Sequence, residues 1–206
     1  LLCVVSRADC ADKIGCLKVD DTARALAQLA HAWRMSLPGL TVLGITGSSG
    51  KTTVKEMAAT VLRYSLGEAA VLATAGNFNN HIGLPLTLLR LTSAHRYAVI
   101  EMGMNHAGEL SELTRIARPD IALVNNALRA HIGCGFNDVS DIARAKSEIY
   151  QGLPPHGMAL VPAEDAHLAL FQAAAAAYAQ RSFGVRHGDV RVDELELDPL
   201  SSRFVL

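Results

Sequence analysis

The run Gly44-Ile45-Thr46-Gly47-Ser48-Ser49-Gly50-Lys51-Thr52-Thr53 constrains this chain more than any other stretch of it. A short β-prone segment, Leu40-Thr41-Val42-Leu43, precedes it. Val54, Met57, Ala58, Val61 and Leu62 follow at the spacing of one helix face. A glycine-rich turn between a strand and a helix start holds phosphate for a physical reason. The N–H groups there have no intrahelical partner, and the helix dipole favours negative charge where they converge. Glycine lets the backbone turn sharply and come close to the ligand. Lys51 can reach terminal phosphates, and the Thr52 hydroxyl is placed to help bind a magnesium ion. The common phosphate-loop pattern has glycine where Ile45 stands; here the glycines fall at Gly44, Gly47 and Gly50. A Gly/Ser turn followed by a chance Lys-Thr is the bland alternative, and the flanking strand and helix patterns disfavour it. The reading is an ATP or GTP phosphate loop over residues 46–53.

At 206 residues, half of them hydrophobic, the chain can bury a sizeable core as one large domain, or as one domain plus a piece of another. Its formal net charge of −1 gives no basic excess for nucleic acid or an anionic membrane. No apolar run reaches the length of a bilayer span. The start, Leu1-Leu2-Cys3-Val4-Val5, has neither an initiator Met nor a basic signal-peptide region, and reads as the middle of a longer protein. Cys3, Cys10, Cys16 and Cys134 form no CxxC pair and no metal-ligand spacing. Free structural thiols, a cytoplasmic setting and a monomer are expected.

Taken in order, Leu1–Val5 and Ile14–Val19 look like strands cut off from their partners. Asp20-Asp21-Thr22 offers N-cap chemistry for a helix through Leu26, Leu29, Ala30 and Trp33, which Pro38-Gly39 ends. From Leu40 strand and helix patterns alternate. Strands are expected at Leu40–Leu43, Ala70–Ala73, Tyr97–Ile100, Ile121–Val124 and Gly157–Val161. Helices are expected after Lys51, from Gly83-Leu84-Pro85, through Leu110, Leu113 and Ile116, from Asp138 to Tyr150, and from Asp165 to Ala179. Val190–Leu197 and Arg203–Leu206 alternate like an antiparallel hairpin. The fold class is α/β, a mostly parallel sheet flanked by helices and carrying a phosphate loop, plus a short remnant of a preceding domain. Residues 1–38 would end that domain and supply a linker helix. Residues 39–206 would form an ATP-binding domain truncated at its C-terminus.

Ligands collect at the carboxyl ends of strands in open α/β sheets, and four candidates lie there. Glu101 ends Tyr97-Ala98-Val99-Ile100, where a Mg²⁺ carboxylate is wanted; an ordinary loop glutamate is the alternative. The amide-rich loop Asn77-Phe78-Asn79-Asn80-His81 could meet a γ-phosphate through Asn77 or Asn80, or could simply cap the next helix. His131, a short loop beyond Ile121–Val124, is either structural or a metal ligand. Lys146 falls on the apolar stripe of its helix, at i+4 from Ile142. Burial lowers a lysine pKa, and a partly neutral amine can react with CO₂ to give a metal-binding carbamate. Snorkelling, or pairing with Glu148 or another acid, are the alternatives.

Thr46–Thr53, Ala75-Gly76-Asn77-Phe78-Asn79-Asn80-His81-Ile82-Gly83, Ile100-Glu101-Met102-Gly103-Met104-Asn105-His106 and Ala145-Lys146-Ser147-Glu148-Ile149-Tyr150 occur in the order found in Mur ligases, and the chain resembles that family. The resemblance is strong over about residues 40–165 and weak at the flanks. The Asn-rich loop looks most like the branch that joins D-alanyl-D-alanine to UDP-N-acetylmuramoyl-tripeptide in peptidoglycan precursor synthesis.

The resemblance implies three domains, of which this chain would hold the end of the first and most of the central ATPase domain. It implies that Lys51 and the 47–53 backbone hold ATP phosphates, and that Thr52 and Glu101 bind one Mg²⁺. It implies a second metal on His131 and carbamylated Lys146, with Asn77 or Asn80 at the γ-phosphate. It also implies acyl-phosphate formation on the tripeptide carboxylate before the dipeptide amine attacks. The family often has an acidic residue after its His, as in His-Leu-Glu-Gly-Phe. His131-Ile132-Gly133-Cys134-Gly135-Phe136 departs from that pattern at the second metal site. Rival readings are another amide ligase, adding a diamino acid or extending folate with glutamate, and a noncatalytic nucleotide switch.

Overall fold

The computed structural model describes residues 3–6, 15–130, 135–198 and 201–205. Among them a seven-stranded sheet dominates. Its strands are β3 (Thr41–Thr46), β4 (Val71–Ala73), β5 (Tyr97–Glu101), β6 (Ile121–Val124), β7 (Met158–Pro162), β8 (Ala179–Gly184) and β9 (Val190–Arg191). They stand side by side in the order β4-β5-β3-β6-β7-β8-β9, and every neighbouring pair is parallel. The chain leaves β3, builds β4 and β5 on one side, then crosses to β6 on the other. This reversal opens a crevice at the carboxyl end of β3, the place where such sheets bind ligands.

Strand alternation divides the core between the two sheet faces. Ile45 and Val99 point to α2 (Lys51–Leu66), meeting Val54, Ala58, Ala59 and Leu62. Val42, Ile100 and Ala122 point the other way. They enter a larger core with α1 (Thr22–Met35), α3 (Gly83–Leu88), α4 (Glu109–Ala117), α5 (Val139–Ser147) and α6 (Leu168–Ala174). Val42, Ile45 and Ile100 are fully buried, each contributing about 1.5–3 kcal/mol. Ile45 replaces the usual phosphate-loop glycine because β3 runs on through Thr46, and position 45 is still sheet core.

Helix α1 starts where Asp21 accepts from the N–H groups of Ala23 and Arg24, at 2.8 and 3.0 Å. Expected as a linker, it is fastened to the sheet unit. Trp33 Nε1 donates to Leu91 O at 2.9 Å. The buried Arg34 guanidinium donates to Ala117 O, Arg118 O and Asp120 Oδ2. Asp120 in turn accepts from Val42 N of β3, at 2.8 Å.

Four details differ from the sequence expectations. The two N-terminal apolar pieces, β1 (Cys3–Val5) and β2 (Cys16–Lys18), pair with each other in parallel rather than standing without partners. The alanine-rich helix stops at Ala174, and Ala179 opens β8. Helix propensity in an alanine run is worth tenths of a kcal/mol per residue, and here it yields to the turn at residues 175–178 that brings Ala179 into register with β7. The tail splits: β9 joins β8, while β10 (Asp193–Asp198) pairs antiparallel with β11 (Ser201–Val205). The helix from Asp138 tightens at its end into a 3₁₀ segment, Glu148–Gly152. No helix among the described residues is long and apolar enough to cross a membrane.

Candidate nucleotide-binding site

Helix α2 begins without a side-chain cap, whereas Asp21 caps α1 and Asp138 caps α5. The first N–H groups of α2, from Lys51 to Thr53, therefore stay available to an anion, with the helix dipole behind them. Gly50 precedes them at φ +73°, in the left-handed region that only glycine enters cheaply. Across the loop Lys51 Nζ donates to Gly47 O at 2.9 Å. At its base the Thr46 hydroxyl is buried and has no partner among the described residues.

Two asparagines at the end of β6 strap this loop. Asn126 Oδ1 accepts from Ser48 N and Ser49 N, both at 3.1 Å, and Asn125 Nδ2 donates to Ser49 O at 2.9 Å. The Ser48 hydroxyl donates to Leu128 O and accepts from Leu128 N. A Cβ on Gly47 would lie 2.9 Å from Asn125 Cβ, and one on Gly50 would lie 2.9 Å from Asn125 Nδ2. The loop glycines thus make room for Asn125 as well as for a ligand. Sequence reasoning assigned no role to Asn125 and Asn126. Their place at the end of a strand neighbouring β3 was the available signal.

Glu101, 3% exposed, ends β5 beside the start of α2. Thr52 Oγ1 donates to its Oε2 at 3.0 Å, and Asn79 Nδ2 donates to its Oε1 at 2.8 Å. Gly103 N returns a bond to Asn79 O at 2.9 Å. A carboxylate and a hydroxyl side by side at a phosphate loop fit Mg²⁺, which takes one or two protein oxygens and completes its shell with phosphates and water. Among the described residues no group of three or more His, Cys, Asp or Glu could hold an ion.

Of the amide loop, Asn79 is the member that reaches Glu101, a contact the sequence reading did not include. Asn77 is exposed. Asn80 Oδ1 accepts from Ile82 N and Gly83 N at the start of α3, and so takes the helix-capping role that had been the alternative. Asn80 still lines a cavity of about 460 Å³ with Lys51, Asn79, His81, Glu109 and Glu112.

Lys146 is 2% exposed, which excludes snorkelling. Its suggested partner Glu148 is engaged elsewhere, accepting from Gly108 N and Ser111 N at the start of α4. No hydrogen bond or ion pair holds the Lys146 amine among the described residues. Burial, and secondarily the Lys51 charge, push its pKa down to about 7. His131, Gly133 and Cys134 lie outside the described residues.

Residues 45–206 match the family model of the Mur ligase middle domain. A UDP-N-acetylmuramoyl-tripeptide–D-alanyl-D-alanine ligase from Haemophilus influenzae is 47% identical over 84% of this chain. The chain spans only 37% of that relative's length. A MurF crystal structure from Acinetobacter baumannii superposes with a TM-score of 0.90 at 43% identity, covering 98% of this chain and 43% of that one. MurF from Thermotoga maritima, solved in complex with ADP, gives 0.80 at 26% identity, covering 98% of this chain and 46% of that one. With the parallel sheet, the uncapped phosphate loop and the Thr52–Glu101 pair in place, this chain belongs to the Mur ligase family, whose middle domain it carries.

Proposed function

We propose that this chain is the ATP-binding part of a cytoplasmic ligase that joins D-alanyl-D-alanine to UDP-N-acetylmuramoyl-tripeptide. The observation that carries the reading is the Glu101 carboxylate, clasped by Thr52 and Asn79 beside the uncapped start of α2. On this reading residues 39–206 are the ATP-binding domain, and residues 1–38 are the end of a preceding one and a linker helix, α1, that packs on the sheet unit. The 46–53 loop and Lys51 hold the triphosphate, the free amides from Lys51 to Thr53 and the Lys51 ammonium taking up charge on the phosphoryl group in flight. Thr52 and Glu101 would hold a Mg²⁺, which neutralises phosphate charge when bound.

The γ-phosphoryl group passes to the terminal carboxylate of the tripeptide, giving an acyl phosphate. The dipeptide amine then displaces phosphate and forms the amide. Asn79 holds the Glu101 carboxylate in place, and Asn80 reaches the cavity where the phosphate end and the carboxylate would meet. The buried Lys146 amine, without a partner among the described residues, is suited to carbamylation, because a pKa of about 7 leaves much of it neutral. As a carbamate it would join His131 as an anionic metal ligand. Ligation by the full-length protein, assayed across acceptors, tests the function. Lys51→Ala should abolish product formation, and near-normal turnover in that variant refutes the assignment.

A further inference from the structure

Lys55 lies one turn beyond Lys51 on α2, and its side chain is 1% exposed. A buried ammonium costs several kcal/mol, and an apolar residue would pack there more cheaply. Its Nζ donates to Thr74 O at 2.7 Å and pairs with Glu56 Oε1 at 2.7 Å. Glu56 is 57% exposed, so it balances charge from the solvent side and leaves the inward bond to Thr74 unexplained.

Thr74 follows β4 and is itself buried. Its N–H donates to Val99 O, and its Oγ1 accepts the N–H of Glu101, each at 3.0 Å. Thr74 also opens the loop that brings Asn79 onto Glu101. Thr52 and Lys55, three residues apart, share one face of α2. That face therefore grips Glu101 twice. Thr52 holds the carboxylate directly, and Lys55 holds the backbone through Thr74.

We propose that Lys55 is a positioning residue, with Thr74 as its relay, that fixes Glu101 for the metal of a bound nucleotide. The proposal rests on reading Glu101 as a Mg²⁺ ligand. Mn²⁺ serves as the probe, titrated by electron paramagnetic resonance onto the full-length protein with ADP bound. Binding of metal-free ADP and the unfolding midpoint are measured alongside.

Outer partners of metal ligands are worth about 10–100-fold in metal affinity, so Lys55→Met should weaken Mn²⁺ binding at least about tenfold. Metal-free ADP binding and thermal stability should hold. Thr74→Val leaves the carbonyl that Lys55 holds and removes the acceptor of the Glu101 N–H; it should act in the same direction, and if Lys55→Met does not fold it decides whether the Thr74 relay positions Glu101. Mn²⁺ affinity unchanged in the variants that fold overturns the proposal. So does a parallel loss of metal-free ADP binding, which would make Lys55 a general packing residue. Absence of nucleotide-dependent Mn²⁺ binding in the unsubstituted protein instead sinks the reading of Glu101 itself.

Discussion

Gly47 and Asn125 offer a test of why the phosphate loop carries its glycines. Gly47 is not in the left-handed region, so alanine there meets no backbone penalty, only a steric one. Its Cβ would sit 2.9 Å from Asn125 Cβ and 3.3 Å from Ser49 O. Overpacking of this kind costs about 1–3 kcal/mol. If the strain falls on the nucleotide-binding conformation, Gly47→Ala weakens nucleotide affinity by roughly five- to 150-fold. Asn125→Gly removes the opposing Cβ and also the bond from Nδ2 to Ser49 O, a loss of about 1 kcal/mol. In the double variant the clash is relieved, so the two effects should fall short of their sum by about 1 kcal/mol or more. Fluorescent-nucleotide titration of the full-length protein and its three variants measures that coupling. Additive losses would refute the reasoning, and would mean that Gly47 is needed only for approach to the phosphate.

Two further outcomes are expected. Arg34→Ala removes donors to Ala117 O, Arg118 O and Asp120, and should cost about 2–3 kcal/mol in denaturant unfolding while leaving nucleotide affinity unchanged. A negligible loss of stability would mean that α1 is only a tether. Lys146 has a folded pKa near 7 against an ordinary 10.5, so between those values the unfolded chain binds the extra proton. Stability in CO₂-free buffer should therefore rise with pH across that window. Lys146→Met should flatten the rise, and a slope unchanged by the substitution would contradict the burial argument.

How much of the site could be read in advance depended on how local its cause was. Residues 46–53 were legible because the glycines, Lys51, Thr52 and the following helix pattern are contiguous. Glu101 was legible from an apolar strand that ends in an acid, and Lys146 from its place on a helix stripe. That Asn79 holds Glu101 was not legible, since three asparagines in one loop are distinguished only by where β5 places the Glu101 carboxylate. Ala179–Gly184 was hidden because its residues show no apolar alternation; only the turn at residues 175–178 sets it beside β7.

By itself the sequence determined the parallel α/β class, the glycine-rich turn between β3 and α2 and the acid at the end of β5, because each follows from spacing along a few consecutive residues. Tertiary structure alone decided that Asn125 and Asn126 strap the loop, that α1 is bolted on through Arg34, and that Lys55 reaches Glu101 through Thr74. Each of these joins residues far apart in the chain. A hydrogen bond between such residues depends on strand order and register, which no local pattern encodes.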